Sequence, residues 1–273
     1  MVIDFCWKEE PNSCGENGEC ILQPSGNRCL CRDGYMGRGC LRPCQDIYKS
    51  CERWLEEKRC EWAKPISPFF FDNCPLTCGK CTAGNKKLRL PLPPILEPLS
   101  WLIGKWRTRT SSSGSRFPLP LLNAYEETLE FSISEVPAFD RPPLNVSVKA
   151  IDLINGDEHI EVGFMTGKPF REDTGFAVKN KPKTGDNLVA IETVGNNGLI
   201  IIEEGILLPD QINLGIVYQK SYFGLQLLEG NRTFTLLAPH ILEERVRLVF
   251  TNGKIEKFRK KYIKVFDYLQ DYV

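Results

Sequence analysis

The sequence predicts a mainly β protein: two small disulfide-rich modules followed by an antiparallel β-barrel or sandwich of about nine or ten strands. Two observations carry this. All twelve cysteines lie between Cys6 and Cys81, in two successive sets of six. Beyond Cys81, apolar and polar residues alternate with a period of two in short runs, and Gly or Pro clusters separate most of the runs.

The first eighty or so residues are too few and too polar to build cores of their own, so covalent cross-links must stabilise them. Each bridge is worth about 2–4 kcal/mol, mostly by restricting the unfolded chain. Bridges persist in oxidising compartments, so a secreted or cell-surface location is expected. Lys plus Arg and Asp plus Glu are equal, at 35 each. No global field therefore recruits nucleic acid or an anionic membrane, and neither partner is expected. The start, Met1 to Cys6, has neither a basic nor an apolar stretch, and no window reaches the roughly 18 apolar residues of a membrane span. Secretion or membrane anchoring is then expected to depend on a further N-terminal segment.

The first module, residues 4–41, carries Cys6, Cys14, Cys20, Cys29, Cys31 and Cys40. Six cysteines alone permit about fifteen pairings. The module ends in CRDGYMGRGC, where Gly34 and Gly37 suit turns of positive φ and Tyr35 supplies packing. This pattern resembles an EGF-like domain, and the resemblance implies bridges Cys6–Cys20, Cys14–Cys29 and Cys31–Cys40. Calcium-binding members place acidic or amide residues before the first cysteine and after the third. Here Asp4 stands alone and Ile21-Leu22-Gln23 follows Cys20, so calcium is not expected.

The second module, residues 44–81, carries Cys44, Cys51, Cys60, Cys74, Cys78 and Cys81. Cys78 and Cys81 form a CxxC, but no second CxxC pairs with it, which argues against zinc. Early Asp46, Trp54 and the ending CPLTCGKC resemble the ShK toxin-like (ShKT) domain. That resemblance implies Cys44–Cys81, Cys51–Cys74 and Cys60–Cys78. Ile47, Trp54 and Leu55 have helical spacing. Channel-blocking members use a Lys-Tyr pair, whereas this chain reads Lys64-Pro65-Ile66-Ser67, so channel block is not expected. Phe69, Phe70 and Phe71 are many aromatics for a small module. One reading places one or two of them in its core, and the other makes them an exposed contact patch for a partner.

Residues 82–95 include Pro91, Pro93 and Pro94 and predict an extended, semi-rigid linker. Residues 96–273 then form the large domain. Leu99, Leu102 and Ile103 share one helical face that could plug a barrel, with Trp101 and Trp106 as core residues. Tyr125, Glu127, Leu129, Phe131 and Ile133 alternate with polar neighbours, as do Leu144, Val146 and Val148, and Val246, Leu248 and Phe250. Further strands are expected at 159–165, 188–194, 198–207, 211–219, 234–238 and 254–265.

LSWLIGKW, GSRFP, Tyr125-Glu126-Glu127, HIEVGF from His159 and NNGLIIIEEG from Asn196 resemble nitrobindin barrels, most of all the type at the C-terminus of THAP domain-containing protein 4. The resemblance implies a ten-stranded, lipocalin-like barrel whose heme-binding members hold ferric heme and react with nitric oxide and peroxynitrite. Their axial histidine lies in the final strand just before Tyr-x-Lys-Val. Here Arg259 or Lys260 occupies that place in FRKKYIKV, and neither suits heme iron. The preceding stretch is shorter than the family's, which suggests a lost strand or hairpin, and RTRTSSS replaces its Gly-rich run. His159 matches a family histidine near the heme and is the candidate cofactor contact, while His240 reads as a surface residue.

No GxSxG or HExxH occurs, and adjacent Glu203 and Glu204 would face opposite sides of a strand, so no catalytic site is expected. Asn145 and Asn231 open glycosylation sequons, read as lying at strand edges or turns. The basic run Lys254–Lys264 reads as a solvated barrel face.

These features together predict a non-catalytic extracellular or cell-surface protein that acts through contacts with protein partners and has no cofactor, heme included. The module order is similar to the nematode male abnormal 7 type of membrane-anchored morphogenesis protein, which implies a role in epidermal or matrix development. The alternative is a secreted barrel of nitrobindin type that binds heme or another apolar ligand.

Overall fold

The computed structural model describes residues 6, 14–21, 28–111, 114–139, 141–167, 187–221 and 227–270. Asp4 and Leu22-Gln23, the positions on which the calcium expectation rests, lie outside them. The chain divides into two compact units, one of residues 1–97 with two short later pieces, the other of the remaining residues up to 271.

In the first unit, strands β1 (Gly18–Ile21) and β2 (Arg28–Cys31) form one antiparallel pair, and β3 (Tyr35–Met36) and β4 (Arg42–Pro43) form another. Gly34 and Gly37 have φ of 87° and 81°, as their turns require. The bridges are Cys6–Cys20, Cys14–Cys29, Cys31–Cys40, Cys44–Cys81, Cys51–Cys74 and Cys60–Cys78.

Three short helices follow, α1 (Cys51–Glu56), α2 (Arg59–Trp62) and α3 (Phe69–Asn73). Their core is Trp54, packed edge-on against Phe70 at 5.4 Å and Tyr48 at 5.6 Å. Asp46 accepts hydrogen bonds from the backbone N–H groups of Leu76 and Thr77 at 3.0 and 3.2 Å, tying the module's start to its end.

The three phenylalanines do not form an exposed patch. Phe70 is buried, Phe69 packs beside Trp54, and Phe71 is half-buried with the Lys64 ammonium 5.0 Å above its ring. A module this small has few large side chains with which to exclude water from its bridges, so Phe69 and Phe70 join Trp54 and Tyr48 in that role. The linker also departs from a free spacer. Leu88 and Leu92 are buried, and the Gln45 side chain clamps the Leu88 backbone with bonds of 2.9 and 2.7 Å.

A 3₁₀ segment, Pro94–Leu102, leads into the second unit, and its Leu99 and Leu102, like the adjoining Ile103, are fully buried. The Trp106 indole N–H donates to the Leu102 carbonyl at 2.8 Å. Ten strands follow: β5 Gly104–Arg109, β6 Tyr125–Ile133, β7 Leu144–Asp152, β8 Glu158–Gly167, β9 Asn187–Gly195, β10 Ile200–Leu208, β11 Gln211–Lys220, β12 Leu227–Ala238, β13 Ile241–Phe250 and β14 Ile255–Phe266.

Each strand pairs antiparallel with the next, and β14 closes the barrel onto β5 through Ile263 opposite Arg107. No strand or hairpin is lost, contrary to expectation. The ring is completed by β5, which the sequence left inside the helical opening segment.

Candidate functional site

The barrel interior is not an apolar pocket. Along β6, Tyr125, Glu127, Leu129, Phe131 and Ile133 all point inward and are buried, so a carboxylate enters the core in phase with its apolar neighbours. The same happens to Glu161 on β8, Glu203 on β10, Arg232 on β12, Glu244 on β13, and Lys260 and Tyr262 on β14. Arg116, between β5 and β6, adds a third cation and is 1% exposed.

These groups form one connected network. Arg116 donates from Nε to Glu127 Oε2 at 2.5 Å and from Nη2 to Glu161. Lys260 Nζ lies 2.6 Å from Glu127 Oε1 and 3.0 Å from Glu244 Oε2. Arg232 Nε donates to Glu203 Oε1 at 3.1 Å, and its Nη1 lies 3.5 Å from Glu244. The Arg232 guanidinium also stacks 4.2 Å from the Phe117 ring. The Tyr262 hydroxyl lies within hydrogen-bond reach of both Glu127 and Glu244. Among the described residues, three cations thus meet four carboxylates.

Burial and pairing set the titration. Burial favours neutral Glu127, but Lys260 and Arg116 outweigh it and hold its pKa down at about 2. Burial likewise opposes charge on Arg116 and Lys260, and the facing carboxylates outweigh it and raise both. Tyr125 is pushed up to about 12, first by burial. Glu203 is raised, burial outweighing Arg232.

The expected site residues lie elsewhere. His159 sits on β8 opposite Ala150, half-buried, and is not among the groups that line the interior space. His240 is exposed in the β12–β13 turn. Glu203 and Glu204 do separate: Glu203 is fully buried and Glu204 is half-buried. Of the sequon asparagines, Asn145 is half-buried at the second position of β7, near the strand's end, and Asn231 is exposed inside β12 rather than at a turn. The basic run is not one solvated face either, because Lys260 and Lys264 turn inward and Lys264 Nζ donates to the carbonyls of Trp101 and Ile103.

Residues 95–261 match the model of the THAP4-like, heme-binding beta-barrel domain. The chain belongs to this family. Residues 43–81 match the ShK domain-like family. The rat protein named peroxynitrite isomerase THAP4 is 33% identical over 114 residues, which is 42% of this chain and 16% of that one. Its human counterpart is 32% identical over 112 residues, 41% of this chain and 16% of that one. The chain thus spans about a sixth of the length of these relatives. A Caenorhabditis elegans protein, "Uncharacterized protein C28H8.5", is 25% identical over 223 residues, 76% of this chain and 68% of that one.

These matches correct two expectations. A barrel without a cofactor and a protein that is not an enzyme both give way to a family described as heme-binding, with relatives named as isomerases.

The interior does not fit a heme in the arrangement the chain adopts. The space among Phe117, Glu127, Phe131, Arg232 and Tyr262 is about 20 Å³, enough for about one water, whereas pockets for cofactor-sized ligands run from about 300 Å³ upward. The inward residue in the axial stretch is Lys260, and its amine is held protonated between two carboxylates. No chemical step is therefore derived through the group.

Proposed function

We propose that this protein is an extracellular member of the heme-binding barrel family that recognises protein partners through its disulfide modules. The carrying observation is the set of six bridges, with no free cysteine among the described residues. Such a framework persists only under oxidising conditions. Exposed Trp62 and Ile66, at 56% and 77%, give the ShK-like module an apolar contact surface in place of the three phenylalanines. The similarity in module order to the nematode proteins favours a developmental or matrix setting.

The test is expression of the full chain behind a secretory leader in animal cells. Release into the medium with no alkylatable thiol, and with glycan mass at Asn145 or Asn231, is the expected result. Intracellular retention with reduced cysteines would overturn the reading.

A second reading comes from the family itself: the barrel takes heme, as the family's description says, and acts on peroxynitrite, as the relatives' names say. It requires the interior to open. A hemin titration of the full chain in the Soret region tests it, with His159→Ala alongside. A saturable band lost in the variant would establish an open, histidine-bound form. Absence of any saturable band would remove the reading.

A further inference from the structure

The outer face of the last strands carries the opposite electrostatic arrangement to the interior. Arg245 on β13 lies directly opposite Arg259 on β14, and Arg247 lies directly opposite Lys257. Like charges in register are destabilising in a sheet, because neighbouring strands run only about 4.8 Å apart. Four cations thus form a square; Lys261 continues the β14 row but lies opposite Glu243. Arg245 leans on Glu243 and Arg247 on Glu229. Among the described residues, Lys257, Arg259 and Lys261 form no ion pair. β12 borders the square with Thr233 opposite Arg245 and Asn231 opposite Arg247. Asn231, Thr233 and the four cations of the square line a shallow, open groove of about 520 Å³ on the outside of the barrel.

We propose that this groove binds a sulfated polysaccharide. Guanidinium groups donate two parallel hydrogen bonds to an oxyanion, and sulfate presents the matching geometry. The hydroxyl of Thr233 suits a sugar hydroxyl. The cations repeat every second residue along two strands, about 6.6 Å apart, so the site extends in the direction of a chain. The depression is open to solvent, so a linear polyanion can lie across it. A net charge of zero removes non-specific attraction as the cause. The site's chemistry does not depend on the extracellular reading, although a natural sulfated ligand would be met there.

The experiment uses the full chain in an Asn231→Gln background, so that no glycan covers the groove. Heparin binding is measured by calorimetry at several salt concentrations for the parent, for Lys257→Ala with Arg259→Ala, and for Lys105→Ala with Lys149→Ala as a control elsewhere on the barrel. The groove pair is expected to weaken binding at least tenfold and to lower the salt slope by about two, while the control changes it less than twofold. Equal losses in both pairs, or no binding by the parent, would overturn the proposal. Binding to vesicles of phosphatidylcholine and phosphatidylserine but not to heparin would also overturn it and assign the groove to a membrane. Thermal melts check folding, and both groove positions are exposed, so the pair should melt at or above the parent temperature.

Discussion

Strand β14 places two neighbouring cations in opposite situations. Lys260 points into the barrel, where Glu127 and Glu244 from two other strands flank its amine at 2.6 and 3.0 Å. Arg259, one residue earlier, points outward and faces Arg245. The inner cation is compensated within the fold and the outer one is not. Alternation of side chains along a strand makes this possible. It also separates what each charge does: the inner set holds one packed arrangement together, and the outer set is left available to a ligand.

The largest expected effect comes from breaking the inner set. Glu127 touches Arg116, Lys260 and Tyr262. Glu127→Ala leaves two buried cations short of a partner, which should cost about 3–5 kcal/mol in urea unfolding. Combining it with Lys260→Met should recover part of that loss, because the second change removes the stranded charge. A Glu127→Ala loss below about 1 kcal/mol would show that water reaches the network and that the contrast between the two faces is weaker than the geometry implies.

Acid should act on the same group. The folded pKa of Glu127, about 2, lies below its ordinary value of 4.5. Its contribution is therefore fully present above about pH 4.5 and is lost as pH falls through about 2, and it amounts to roughly 3 kcal/mol. Unfolding curves between pH 7 and pH 2 should show this loss, and Glu127→Gln should flatten it. An equal acid loss in the variant would move the effect to other carboxylates.

The ShK-like module is the contrasting case, since its core is aromatic rings and bridges rather than charges. Cys51→Ser with Cys74→Ser should cost that module about 2–4 kcal/mol. Hydrogen exchange should localise the loss to residues 44–81 and leave the barrel strands protected. Loss of protection across β6 or β14 would show that barrel stability depends on the module.

Part of the inner set was legible in the sequence. Glu127 stands in the same phase as Tyr125, Leu129 and Phe131, and Glu244 in the phase of Val246 and Leu248, so each announced a charge on the core face. What could not be read was the partnership. Lys260 and Glu127 are 133 residues apart, and only barrel closure brings them together. Arg116 lies between strands and has no periodicity to betray it. The strand pattern and the module frameworks were legible because turns and cysteines are local signals. β5 was not, because its six residues follow a helical segment directly. The sequence left the phenylalanines open between core and exposed patch, because the demand for core volume in so small a module is set by tertiary packing.

The smallest expected effect completes the comparison. Arg259→Ala removes an exposed cation that faces another cation, so it should change stability by less than about 0.5 kcal/mol, and in the stabilising direction. Raising the salt concentration should erase even that gain, because the repulsion it relieves is screened over about 10 Å at 0.1 M. Urea unfolding at two salt concentrations measures both. A clear destabilisation would mean that Arg259 already has a structural role on the outer face, and the division of labour between the two faces of β14 would not hold. A small, salt-sensitive stabilisation would mean that the fold tolerates a repulsion it could have avoided, which is the condition expected of a surface kept for an anionic ligand.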